Sequence, residues 1–184
     1  MEIDIPLIFK GESVTIVGGG SSLTGFDFGK LKGKIVVTNH AVRYTRSDMW
    51  VFLDTTFIRK NMMRIRSYKG YCVSRHGGEN IHTIKFGSSE VDFIVRKANN
   101  SGFTAMVLAL MLGAKRVYLL GFDGSWKDKS HFHSIYRDKK KMEDFTRSIY
   151  LYDHFRNFPI VNVGLDSDID CFKKVSLEEN FYNQ

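Results

Sequence analysis

The sequence is poor in proline and cysteine, with two of each in 184 residues. So little proline excludes a collagenous or linker-dominated chain. Cys72 and Cys171 are too few for a disulfide framework and form no C-x-x-C spacing, which argues against a stapled secreted scaffold or a cysteine-bound zinc site. A reducing compartment is therefore expected. Long apolar runs are also missing: the longest, 103–114, is about half of the ~20 residues that a spanning helix needs. Residues 1–10 carry Glu2 and Asp4 where a signal peptide would be basic. A cytoplasmic protein without a membrane span is expected. There is no internal repeat and no low-complexity tract.

What is present suffices for a folded core. Hydrophobic residues make up 43% and aromatics 14% of the chain, enough apolar surface to offset chain entropy. The length suits one domain spanning 1–184. The 27 Lys and Arg against 20 Asp and Glu leave a net charge of +7, which favours a polyanionic or phosphate-bearing partner. The charge is concentrated between 43 and 75, where Arg43, Arg46, Arg59, Lys60, Arg64, Arg66, Lys69 and Arg75 face only Asp48 and Asp54. A solvated face is the ordinary explanation of such a run, and an anionic acceptor or a nucleic acid the sharper one. Tyr44, Tyr68 and Tyr71 interleave with it but lack the spacing of an RNA-binding signature.

Periodicity alternates along the chain. Val14–Val17, Lys34–Thr38 and Trp50–Leu53 are continuous apolar runs, as strands covered on both faces should be, and they end in Gly18, Asn39 and Asp54. Residues 103–114, rich in Ala, Leu and Met, read as a helix that feeds a strand at Arg116–Leu120, followed by Gly121-Phe122-Asp123. Asp138–Phe155 reads as an amphipathic helix, and Pro159 opens a last strand through Val163. The expected fold is α/β: a single Rossmann-like, three-layer domain with a mostly parallel sheet and a ligand crevice at the carboxyl ends of the strands.

Gly18, Gly19 and Gly20 follow the first strand, where a glycine turn lets backbone amides approach a phosphate closely, or simply turns tightly. A dinucleotide fingerprint is excluded because Leu23 stands where its third glycine belongs. A P-loop is excluded because Phe26, and not lysine, follows Gly25. Asp123 closes its strand as a carboxylate able to orient a ribose or a metal, or to cap a turn. His131 and His133, even with Asp123, lack the third firm ligand of a zinc site, so no protein-bound metal is expected. His40, beside Asn39, is a second candidate contact, although packing is the ordinary role of such a residue.

Three segments taken together, VTIVGGGSSL at 14–23, VVTNHAV at 36–42 and NNSGFTAMVLALMLGAKRVYLLGFDGSW at 99–126, resemble the bacterial sialyltransferase fold. That fold is shared with the motility-accessory-factor flagellin glycosyltransferases and the archaeal 6-hydroxymethylpterin pyrophosphokinases. The segment 99–126 is the most specific; His133-Ser134 and PIVNVGLDSDIDCF at 159–172 match more weakly, and 55–98 matches poorly. The resemblance implies a nucleotide site. Gly18, Gly19, Gly20, Ser21 and Ser22 would lie against a cytidine monophosphate moiety, Asn39 would touch phosphate or ribose, and Ser101 and Gly102 would meet the nucleotide with helix N-terminal amides. Asp54 stands where the sialyltransferases carry asparagine, closer to the pyrophosphokinase pattern, and an aspartate there can hold a divalent metal. His133 would be the base that takes the acceptor hydroxyl proton. The long tyrosine-bearing lid of the sialyltransferases is missing, which leaves Tyr136, Lys127 and Lys129 to do part of its work and admits more water.

The leading function is a small nucleotide-sugar glycosyltransferase using a CMP-activated donor and His133, with no firm cofactor. The alternatives are ATP- and magnesium-dependent pyrophosphoryl transfer at Asp54 and Asp123, and a non-catalytic binder of nucleotides or nucleic acid.

Overall fold

In the computed structural model, which describes residues 1–124, 132 and 148–177, the first apolar run forms β1 (Ser13–Val17), and its residues 14–17 are buried. β1 pairs in parallel with β2 (Lys34–Thr38), and the sheet continues outward on that side through β3 (Met49–Val51), β4 (Tyr71–Ser74) and β5 (His82–Thr83). On the other side β1 pairs in parallel with β6 (Arg116–Leu120), followed by β7 (Ile160–Val163) and β8 (Lys173–Val175). The order β5-β4-β3-β2-β1-β6-β7-β8 makes an eight-stranded sheet that is parallel throughout, not merely for the most part. After building one half outward to β5 the chain returns to the centre to start the other. β1 and β6 are therefore the switch point, where the connections leave in opposite directions, the place at which open α/β sheets generally take their ligands.

Because successive residues of a strand point to opposite faces, uninterrupted apolar runs supply two cores. On one face Val17, Ile35, Val37, Trp50 and Leu120 pack with Phe57, Ile58 and Ile65 of α1 (Thr55–Ser67). On the other, Val14, Ile16, Val36, Val117 and Leu119 pack with α2 (Glu90–Ala98) and α3 (Ser101–Met111). These are the three layers expected. In α3 every residue from Phe103 to Ala109 is buried, which suits a helix that is apolar all round.

Segment 55–98, which neither the apolar runs nor the resemblance delineates, holds α1, β4, β5 and α2. α2 starts with a capping box between Ser89 and Asp92 and ends at Asn99 in the left-handed conformation, φ 45°. The Asp92 carboxylate is buried and also takes the Met1 ammonium at 2.6 Å. That ammonium and the Ser89 hydroxyl hold the Asp92 pKa down at about 2.

Two expectations need correction. β3 ends at Val51, two residues before Leu53, although the Phe52 amide still reaches the Val73 carbonyl at 3.1 Å. The amphipathic helix expected over 138–155 is, in its described part, a short 3₁₀ helix over Ile149–Phe155, while 138–147 lies outside the described residues. Leu151, Tyr152 and Phe155 supply the apolar spacing that suggested a longer helix, and two of them pack edge-on against Phe103, at ring distances of 4.9 and 5.5 Å. Among the described residues no helix is long and apolar enough to cross a membrane.

Candidate functional site

The site is built where β1 and β6 end side by side. The Gly18 amide donates to the Leu120 carbonyl at 2.8 Å, and the Gly20 amide to the Gly121 carbonyl at 2.9 Å. Neither glycine has a positive φ. Their lack of a side chain matters for closeness: a Cβ on Gly18 would lie 2.6 Å from the Gly121 oxygen, and one on Gly20 2.4 Å from Asp123 Oδ1. The glycine turn is shaped first by the chain that packs on it.

Asp123 is the main occupant of that turn. Its carboxylate accepts from the Ser22 amide at 2.9 Å, the Ser22 hydroxyl at 2.5 Å and the Ser21 hydroxyl at 3.2 Å. Donors expected to face a phosphate are thus held by a carboxylate of the protein. Asp123 braces the turn. The brace is fixed from behind: the Asp168 amide donates to the Asp123 carbonyl at 2.8 Å, and the Ser167 hydroxyl donates to the Phe122 carbonyl at 2.6 Å. Buried Asn162 of β7 donates in turn to Ser167 Oγ at 2.7 Å.

The second wall comes from β2 and α3. Asn39 closes β2 with φ 46°, and its carbonyl accepts from the Trp50 indole at 2.8 Å. Its side-chain oxygen accepts from the Ser101 hydroxyl at 3.3 Å, so residues 62 positions apart meet at the start of α3. Asn100 caps that helix, its Oδ1 accepting from the Phe103 amide at 3.0 Å. Gly102 lies flat against Phe122, where a Cβ would be 2.8 Å from the ring, and this contact joins the two walls.

Asp54 is exposed and caps α1 by accepting from the Phe57 amide at 2.9 Å. His40 is buried with its ring 4.9 Å from that of Phe57, the packing role ordinary for such a residue. His131, His133, Tyr136, Lys127 and Lys129 lie outside the described residues. Phe132 is described: its amide donates to the Gly19 carbonyl at 3.1 Å, and its ring meets those of Tyr44 and Phe28 at 4.9 and 5.4 Å.

Among the described residues no group of three or more His, Cys, Asp or Glu side chains comes together to hold a metal. Both cysteines are free thiols, and burial pushes Cys72 up to about 12 and Cys171 up to about 11, far from a thiolate at neutral pH. Gly18–Ser22, Asn39, Ser101, Gly102 and Asp123 therefore gather at one end of the sheet. Sequence reasoning overlooked Asn100, Asn162 and Ser167. An Asn directly before Ser-Gly at a helix start is a cap signal, and a lone Asn inside the apolar run 160–163 marks a buried polar contact.

No protein-family model and no curated protein matches the chain. Solved structures do. The sialyltransferase CstII from Campylobacter jejuni, in complex with the substrate analogue cytidine-5'-monophosphate, superposes with a TM-score of 0.54 at 14% identity, over 89% of this chain and 84% of that one. The fold is sialyltransferase-like. Complexes of the same enzyme with a trisaccharide acceptor and CMP, and with CMP-3FNeuAc, superpose with TM-scores of 0.51 and 0.52, again at 14% identity. They cover 90% and 89% of this chain and 86% of theirs. At that identity the likeness is one of fold.

Proposed function

We propose that this chain is a glycosyltransferase that takes a sugar from a nucleotide-sugar donor, with CMP as the nucleotide. The observation that carries the proposal is the start of α3, where Ser101 meets Asn39 beneath the β1–β6 switch point and the cap, Asn100, is uncharged. A neutral cap satisfies one backbone donor and leaves the positive helix end available to an anion. The Ser101 and Gly102 amides receive the donor phosphate, Asn39 holds phosphate or ribose, and the braced turn Gly18–Ser22 forms the opposite wall. His133 takes the proton of an acceptor hydroxyl as the new glycosidic bond forms, and the bond to the phosphate oxygen breaks with release of CMP. A magnesium-dependent pyrophosphoryl transfer would draw on Asp54 and Asp123, and both carboxylates are engaged within the protein.

A thermal-shift comparison of CMP, CDP, UDP, ATP and ADP, with and without magnesium, tests this. A nucleotide at ~100 times its dissociation constant adds ~2.7 kcal/mol of stability. Cytidine nucleotides are expected to stabilise without magnesium, and His133→Ala to abolish transfer while keeping that shift. Stabilisation by ATP alone, and only with metal, would overturn the assignment.

A further inference from the structure

The basic run of the sequence reappears as one face of α1. Phe57, Ile58, Asn61 and Ile65 are buried toward the sheet. With successive residues about 100° apart around the axis, Met63 points almost directly away from Ile58 and Ile65. It is 86% exposed, the most exposed large hydrophobic side chain among the described residues. Arg59 and Arg66 flank it on one side, Lys60 and Arg64 on the other, and all four are exposed. The helix itself carries no acidic residue. Arg66 pairs with Glu79 at 2.9 Å, whereas Arg59, Lys60 and Arg64 make no ion pair among the described residues.

Nothing among the described residues accounts for this face. Lys60 and Arg64 stand four residues apart, a like-charge spacing that disfavours the helix, and a methionine at the centre of a charged face gains nothing in water. We propose that the outer face of α1 docks on an anionic phospholipid surface, with Met63 entering the interfacial layer and Arg59, Lys60 and Arg64 meeting lipid phosphates. A basic outer face around one exposed apolar side chain has the chemistry of a contact with an anionic lipid surface. Nucleic acid fits less well: its backbone calls for the cations but not for an apolar side chain between them, and the exposed face of α1 carries no aromatic ring on which a base could stack. The surface is independent of the transferase assignment, since it uses none of the crevice residues.

Co-sedimentation with phosphatidylcholine vesicles, with and without phosphatidylglycerol, tests the proposal on the full chain. Binding is expected only to the anionic vesicles and to weaken with salt. Arg59→Gln, Lys60→Gln and Arg64→Gln should each lower the partition by roughly fivefold. Met63→Ser should lower it with the salt dependence unchanged; all four positions are exposed, and melting curves verify folding. Equal binding to neutral vesicles, or parental binding by the variants, overturns the proposal. So does salt-sensitive binding to an RNA oligonucleotide that Met63→Ser leaves intact while anionic vesicles go unbound.

Discussion

α1 and α3 both open toward the carboxyl end of the sheet, and they are capped by different chemistry. Asp54 at the head of α1 brings a full negative charge to the positive helix end, whereas Asn100 at the head of α3 brings only a dipole. An acidic cap opposes the positive end of the first helix, whereas an uncharged cap leaves that of the second in place. Their bodies differ in the same sense. α3 is enclosed on every side from Phe103 to Ala109, while α1 buries one stripe and turns four cations and a methionine to water. One helix holds the core and the site together. The other offers a surface.

The largest effect that tests this contrast is on stability. Phe103→Ala removes a fully buried ring that touches Tyr152 and Phe155, and should cost ~3–5 kcal/mol in denaturant unfolding. Met63→Ala on α1 should stay within ~0.5 kcal/mol. Similar losses would break the distinction between the two helices.

α2 extends the comparison with a third kind of start, a buried carboxylate. The folded pKa of Asp92 lies at about 2, below its unfolded value of ~3.9. Its contribution is therefore fully present above pH ~4 and disappears as the pH falls toward 2. Asp92→Asn should lose on the order of 2 kcal/mol at neutral pH and flatten the acid limb of the stability curve. An acid limb identical to that of the parent would mean that Asp92 is not held by its neighbours.

The smallest effect is the sharpest test of the caps themselves. Asn100→Asp should leave α3 as stable as before yet weaken CMP binding roughly two- to fivefold, because a carboxylate at that helix end opposes the phosphate. Asp54→Asn, the reciprocal change on α1, should leave CMP binding unaltered in the same titration.

The difference between the helices also explains what could be read in the sequence. β2 and β6 form over the residues that their apolar runs mark, since a run buried on both faces has no polar interruption to blur its ends, and Asn39 or Gly121 stops it. α3 was legible for the same reason. α1 was not, because its most conspicuous property is charge, and Arg59 to Arg66 look like a basic patch before they look like a helix. The site was half legible. Strand ends point to residues 18–22, Asn39, Asp54 and Asp123, of which Asp54 caps α1 instead, and Ser101 and Gly102 come from the resemblance and not from any strand end. Asn162, Ser167 and Asp168 hold residues 122–123 from behind; the lone Asn162 signals a buried polar contact, but no local pattern names its partner or places it there. His133, the proposed base, lies outside the described residues.

The bond between Ser22 and Asp123 spans 101 positions of the chain, and it crosses from the first-built half of the sheet to the second. A nascent polypeptide that has extruded β1 through β5 already owns its glycine turn but has nothing to hold it. The wall appears only when β6 inserts beside β1, a late, long-range pairing of the kind that slows folding. The walls proposed to receive the nucleotide thus come together in one step with completion of the sheet, so that truncated or misassembled chains would lack them.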